Sequence, residues 1–205
     1  FSPGNGADLI FTWAPGTDPT VFPDGTGLEM EAGDFFVLQT HYHFGVEADA
    51  DRSTFAVNFA TGADVDPIDL FTYLAPAEIP CGEGEEGPLC DRDAARQKAI
   101  DAYGREGVLA GALIRGCGNP LDAPDGFVDG VAKSSCTWPV VNPGEIISVF
   151  GHEHEIGASF KMTLNPDTPE ERVLLDIPVW DFDWQLIYEP SDSIVIDRGD
   201  TIRIE

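Results

Sequence analysis

The sequence is poor in basic residues. It has 11 Lys and Arg against 37 Asp and Glu among 205 residues, a formal net charge of -26. A surface of this sign repels phosphate backbones and anionic lipid headgroups, so nucleic acid and anionic membranes are unsuitable partners. We interpret the acidity as a solvated surface suited to a salty exterior. No apolar run approaches the roughly 20 residues that cross a bilayer, which excludes a long hydrophobic transmembrane helix.

Cysteine is scarce as well. The four cysteines fall into two local pairs, Cys81 with Cys90 and Cys117 with Cys136. An even count at loop-length spacing favours disulfides in an oxidising compartment, although four cysteines allow several connectivities. No C-x-x-C arrangement occurs, which makes a cysteine metal site the weaker interpretation. We therefore predict a secreted protein, extracellular or periplasmic.

Short strands dominate the predicted secondary structure. Glycine (22 residues) and proline (16) divide the chain into many short segments, several of which alternate apolar and polar residues with the period of a β-strand. Such a series favours antiparallel sandwiches over β-α-β units, and we predict an all-β fold. The predicted strands are residues 34–44, 54–59, 145–154, 159–164, 180–188 and 201–205, the last after a turn at 197–200.

Only residues 91–103 and 106–115 have a composition typical of helices, with Gly104 and Gly116 as stops. Both lie between the two cysteine pairs, so residues of about 81–136 are predicted to be an insertion in the β fold. Residues 62–67 are the best candidate linker, which divides the chain into a domain at 1–63 and a longer one at 64–205.

Histidine provides the strongest chemical signal. All four histidines occur in two H-x-H pairs, His41 with His43 and His152 with His154. Chance would produce on the order of 0.1 such pair in a chain of this length. In a strand, side chains at i and i+2 project from the same face about 6–7 Å apart, near enough to share one cation. Imidazole is a preferred ligand of copper, zinc, iron and nickel.

Other interpretations of these residues stay open. An H-x-H pair can line a cleft, pack on aromatic rings or bind metal adventitiously. A zinc hydrolase would need a carboxylate near the metal, but Glu153 points to the opposite face and we interpret Glu155 as a solvated side chain. We predict that Met162 packs in the core, and that the alternating aromatic residues at 180–188 do so too. No G-x-S-x-G motif supports covalent acyl transfer.

Several motifs, in order along the chain, resemble those of one enzyme family. Residues 35–43, FFVLQTHYH, resemble the F-V-L-Q-V-H-Y motif of the copper type II, ascorbate-dependent monooxygenases. This family includes peptidylglycine α-hydroxylating monooxygenase and dopamine β-monooxygenase. Residues 149–157, VFGHEHEIG, are similar to its H-T-H-x-x-G strand, and residues 198–202 to its P-G-D-x-L segment. The strand at 9–14, ending in W-A, and the P-x-G-x-G pattern at 23–27 also match. The insertion resembles the bacterial branch.

The resemblance implies two jelly-roll-like antiparallel β-sandwich domains, each with one copper. Residues 1–63 would be the C-terminal part of the first domain and 64–205 the second, incomplete at its end. His41 matches a ligand of the electron-transfer copper, and His152 and His154 match two ligands of the oxygen-activating copper. His43 matches a position that the family does not use as a ligand. The family's upstream His-His pair and downstream methionine have no counterparts here, so we expect the chain to be the central part of such an enzyme.

The resulting hypothesis is a copper-dependent monooxygenase that hydroxylates an unactivated C–H bond of a small organic substrate. It would use O2 and a reductant such as ascorbate, with catalytic residues His152 and His154 at one of two coppers. The alternatives are a non-catalytic metal-binding or structural β-sandwich module of the same fold, and a zinc hydrolase.

Overall fold

A computed structural model describes residues 9–14, 16–40, 42, 50–60, 65–82, 84–117, 127–128 and 130–205. The chain forms two compact units. Unit 1 comprises Phe1–Thr12 and Pro19–Phe71, and unit 2 comprises Trp13–Asp18 and Thr72–Glu205. The boundary predicted at residues 63 and 64 lies outside the described residues.

Unit 1 contains little regular structure in its described part. Strand β1 (Thr26–Gly27) pairs in parallel with β2 (Asp66–Pro67), and Gly25, with a positive φ of 80°, forms the turn before β1. Phenylalanine rings pack together in its described part: Phe36 lies 5.8 Å from Phe55, centroid to centroid, in an edge-on arrangement. Such edge-to-face pairs contribute about 0.5–1.5 kcal/mol beyond the area they bury.

Unit 2 has ten strands in its described residues, and every pairing between them is antiparallel. They are β3 (Phe127–Val128), β4 (Val131–Ala132), β5 (Cys136–Pro139), β6 (Gly144–Glu145), β7 (Val149–Phe150), β8 (Phe160–Leu164), β9 (Arg172–Ile177), β10 (Ile187–Tyr188), β11 (Val195–Ile196) and β12 (Thr201–Ile204). The largest sheet has four strands in the order β5-β12-β8-β9, and the pairs β3–β4, β6–β11 and β7–β10 form smaller ladders. The described chain is therefore β-rich and largely antiparallel, as predicted.

The core of unit 2 lies on one face of the four-stranded sheet. Alternate residues of β8 and β12 point to that face because successive side chains of a strand project to opposite sides. The predicted strands at 159–164 and 201–205 are confirmed, and Met162 packs in the core as expected. The buried cluster comprises Val140, Val149, Phe160, Met162, Leu164, Leu175, Trp180, Ile194, Ile196, Ile202 and Ile204.

Both helices are confirmed. Helix α1 (Arg92–Tyr103) begins after Asp91, whose side chain accepts a hydrogen bond from the backbone N–H of Ala94 (2.8 Å). This is a standard N-cap, which satisfies one of the free N–H groups of the first turn. Gly104, with φ 59°, separates α1 from α2 (Arg105–Gly116).

Two disulfides flank these helices. Cys81 is bonded to Cys90, and Cys117 is bonded to Cys136 in β5. Each cysteine therefore pairs with its neighbour in sequence, a connectivity that the spacing alone left open. In the described residues no helix is both long and apolar enough to cross a membrane.

Several strand predictions were wrong. Residues 34–40 and 54–59 have no strand conformation. Of the strands predicted at 145–154 and 180–188, only residues 145, 149–150 and 187–188 lie in strands. Alternation describes which side chains share a face, but a strand also requires a hydrogen-bonded partner along its length. In the described structure these segments lack such a partner beyond a few residues.

Candidate metal centre

The second H-x-H pair lies just beyond the end of a short strand. Strand β7 ends at Phe150, which lies opposite Ile187 of β10. Gly151 is buried and continues the chain against the core: a Cβ added there would lie 2.8 Å from the ring of Phe160 and 3.2 Å from Leu175. Glycine is thus the residue that lets the backbone carrying His152 pass this close to β8 and β9.

The rings of His152 and His154 lie side by side. Their centroids are 5.3 Å apart with an interplanar angle of 66°, and both side chains are exposed. The ring of Phe150 lies parallel to that of His152, within 10°, at a centroid distance of 6.3 Å. The two residues predicted to share a face are therefore brought together, although in a loop and not within a strand.

A buried glutamine contacts the first of these histidines. Gln185 is 1% exposed, and its Oε1 lies 2.7 Å from Nδ1 of His152. The amide Nε2 of Gln185 donates a hydrogen bond to the backbone carbonyl of Phe182, also at 2.7 Å. Sequence reasoning missed this residue, because it treated Gln185 as a polar position between core aromatic residues.

A turn explains why Gln185 is buried. The backbone N–H of Trp184 donates to the carbonyl of Asp181, and that of Asp183 donates to the side chain of Asp181. An Asx turn of this kind interrupts the strand alternation, so the predicted core position of Trp184 is wrong and its side chain is 62% exposed. Trp180, which precedes the turn, is buried as predicted.

The side chain of Glu153, the residue between the two histidines, packs beside Gly157. Its Oε2 is buried and has no hydrogen-bond partner among the described residues, and a Cβ added to Gly157 would lie 2.2 Å from it. Desolvation raises the pKa of Glu153 above its usual value, because burial disfavours the charged carboxylate. Glu155 is exposed, in agreement with its interpretation as a surface residue.

Replacing Glu153 by glutamine is expected to stabilise the protein near neutral pH. The pKa of Glu153 is higher in the folded state than in the unfolded state. The wild type therefore loses stability as the pH rises from the pKa of the unfolded state through that of the folded state. The neutral amide does not ionise, so the advantage of Glu153→Gln in melting temperature should grow as pH rises above the usual pKa of a glutamate. Thermal unfolding followed by tryptophan fluorescence measures it, with the exposed Glu155→Gln as control. If both substitutions changed the melting temperature equally and independently of pH, the conclusion that burial raises the pKa of Glu153 would be contradicted.

The described part of the chain contains no complete metal site around this histidine pair. No group of three or more His, Cys, Asp or Glu side chains suited to a metal occurs there. Met162 belongs to the core. His41 and His43 lie outside the described residues, so the structure does not test the first pair.

The geometry of the second pair fits a copper ion as two of its ligands. With metal–nitrogen bonds of about 2 Å, rings whose centroids are 5.3 Å apart can each direct one nitrogen to a common ion. Exposed imidazoles are accessible to such an ion, and nitrogen donors suit copper in its oxidised state.

Comparison with known proteins adds no relative: no family model, no curated protein and no solved structure matches this chain.

Proposed function

We propose that this chain is the core of a secreted, copper type II, ascorbate-dependent monooxygenase. It would hydroxylate an unactivated C–H bond of a small organic substrate. In this proposal the β-rich units are jelly-roll-like sandwich domains, His152 and His154 hold the oxygen-activating copper, and His41 contributes to the electron-transfer copper. The two disulfides support an oxidising compartment outside the cytoplasm.

The observation that carries the proposal is the pairing of His152 with His154. Two adjacent imidazoles with centroids 5.3 Å apart are suited to bind one ion, and the motif around them resembles the catalytic copper strand of the family. Bound copper would supply the oxygen and electron-transfer chemistry.

The chain itself contributes positioning. Gly151 lets the histidine loop lie close against the sheet. Phe150 borders the ring of His152. Because these contacts are made by residues packed on or near the core, the imidazole of His152 is held before a metal arrives, which reduces the ordering cost of binding.

Copper counting combined with oxygen uptake tests this proposal. The complete protein is loaded with Cu(II) and freed of excess metal on a desalting column. Copper is then measured by elemental analysis and by electron paramagnetic resonance, and O2 uptake is followed with ascorbate. Bound Cu(II) with nitrogen ligands and ascorbate-dependent uptake are expected.

The controls separate enzyme activity from the reaction of free copper with ascorbate. The column filtrate and zinc-loaded protein should both give only the background rate. Failure to retain copper would reject the proposal in favour of a structural module. Retention of copper without O2 uptake would favour a non-catalytic metal-binding module, and selective retention of zinc together with hydrolytic activity would favour a hydrolase.

A further inference from the structure

Gln185 has a hydrogen-bonding arrangement whose direction can be assigned. The carbonyl of Phe182 can only accept a hydrogen bond, so the amide group facing it at 2.7 Å must be the Nε2 donor of Gln185. The Oε1 acceptor of the same amide then faces His152. Since Oε1 can only accept, Nδ1 of His152 must carry the proton across the 2.7 Å contact.

This assignment determines the tautomer of the histidine. In a neutral imidazole one nitrogen carries the proton and the other has the free lone pair. With Nδ1 protonated and bonded to Gln185, the lone pair of His152 lies on Nε2. That nitrogen is the one left to bind a cation.

The backbone of Gln185 is itself held from a distant part of the sequence. Its carbonyl accepts a hydrogen bond from the hydroxyl of Thr17 at 2.7 Å, across 168 residues of sequence. Gly16, with φ 87°, packs so closely that an added Cβ would lie 3.0 Å from the carbonyl oxygen of Asp183 and 3.2 Å from the backbone nitrogen of Gln185. Gln185 is therefore held in place through both its side chain and its backbone.

We infer that Gln185 is a positioning residue which holds His152 in the Nδ1–H tautomer and thereby makes Nε2 its metal-binding atom. This rests on the proposed function only in so far as the bound ion is copper. Metal-ligating histidines commonly donate their second ring N–H to such an outer partner, and loss of that partner typically reduces metal affinity 10–100-fold.

The first test requires no metal. Two-dimensional NMR of the metal-free, 15N-histidine-labelled full chain in alkaline buffer distinguishes protonated ring nitrogens from those with a lone pair. The wild type should have Nδ1–H and a lone pair on Nε2 for His152. Gln185→Leu, which has no acceptor, should lose this preference.

The opposite tautomer in the wild type would overturn the inference without any variant, even if Gln185→Leu failed to fold. An unchanged tautomer in folded Gln185→Leu, with folding verified by circular dichroism, would overturn it as well. His154 of the same sample serves as an internal reference for the effect of buffer and temperature on imidazole signals.

The second test measures Cu(II) affinity by titration calorimetry. Gln185→Leu should bind Cu(II) 10–100-fold more weakly than the wild type. Equal affinities of the two proteins would reject the role of Gln185 in metal binding. If the wild type binds no copper at all, the proposed function fails, while the tautomer measurement still decides the role of Gln185.

Discussion

Replacement of His152 by alanine in the complete protein is expected to abolish ascorbate-driven O2 uptake and to remove one of its coppers. His154 would remain as one imidazole, and the described residues bring no third metal-ligating side chain to this position. Loss of an outer hydrogen-bond partner alone weakens metal binding by 10–100-fold, so loss of a ligand should weaken it by more than about 100-fold. Elemental analysis, paramagnetic resonance and oxygen-electrode measurements on the same sample measure these effects.

The matched control is Ile156→Ala, a substitution of an exposed residue in the same loop. It should retain the copper content and the oxygen uptake of the wild type. If His152→Ala instead keeps its full copper content and an unchanged Cu(II) spectrum, His152 is not a ligand. The monooxygenase proposal would then lose the observation on which it depends.

The local features of the fold could be predicted from sequence because their causes are local. The N-cap at Asp91 and the glycine stop at Gly104 act within one turn of the residues that they bound, and both helices were predicted correctly. The two histidine rings were also predicted to be neighbours, because an i, i+2 spacing keeps side chains together in any extended backbone.

The strands at 34–40 and 54–59 were wrong for a different reason. Their alternating pattern satisfies the side-chain requirement of a strand, but pairing depends on a second segment whose position the pattern does not contain. By contrast, β8 and β12 were predicted correctly, because each has both the alternation and a partner in the four-stranded sheet.

Gln185 could not have been found from periodicity. The turn that begins at Asp181 reverses the side-chain parity, so the residue expected to face solvent is buried and Trp184 is exposed. The Asp-x-Asp sequence there is a recognisable turn signal, but its effect on a histidine 33 residues away depends on tertiary structure. Outer-shell residues of a site are in general harder to predict than ligands, because ordinary polar residue types can fill them.

The second large effect is expected for Ile202→Ala in the four-stranded sheet. Ile202 is 3% exposed and lies in β12, opposite Trp138 of β5 and Leu164 of β8. Truncating a fully buried isoleucine removes its transfer free energy and leaves a cavity, which typically costs 2–5 kcal/mol. Both neighbours of β12 are hydrogen-bonded to it along the backbone, which limits how far the sheet can collapse onto the gap, so a loss of roughly 3 kcal/mol is expected.

Urea unfolding followed by tryptophan fluorescence measures this loss for unit 2 alone, because Trp13, Trp138, Trp180 and Trp184 all belong to that unit. Val173→Ala is the matched control: Val173 lies in β9 of the same sheet but is 45% exposed, and its loss should stay below about 1 kcal/mol. If Ile202→Ala and Val173→Ala lost similar amounts of unfolding free energy, Ile202 in β12 would not lie at the centre of the core. We expect a large loss of unfolding free energy for Ile202→Ala alone. If the folded fraction of this variant still binds Cu(II), the packing of Ile202 stabilises the sheet without taking part in metal binding by the histidine loop.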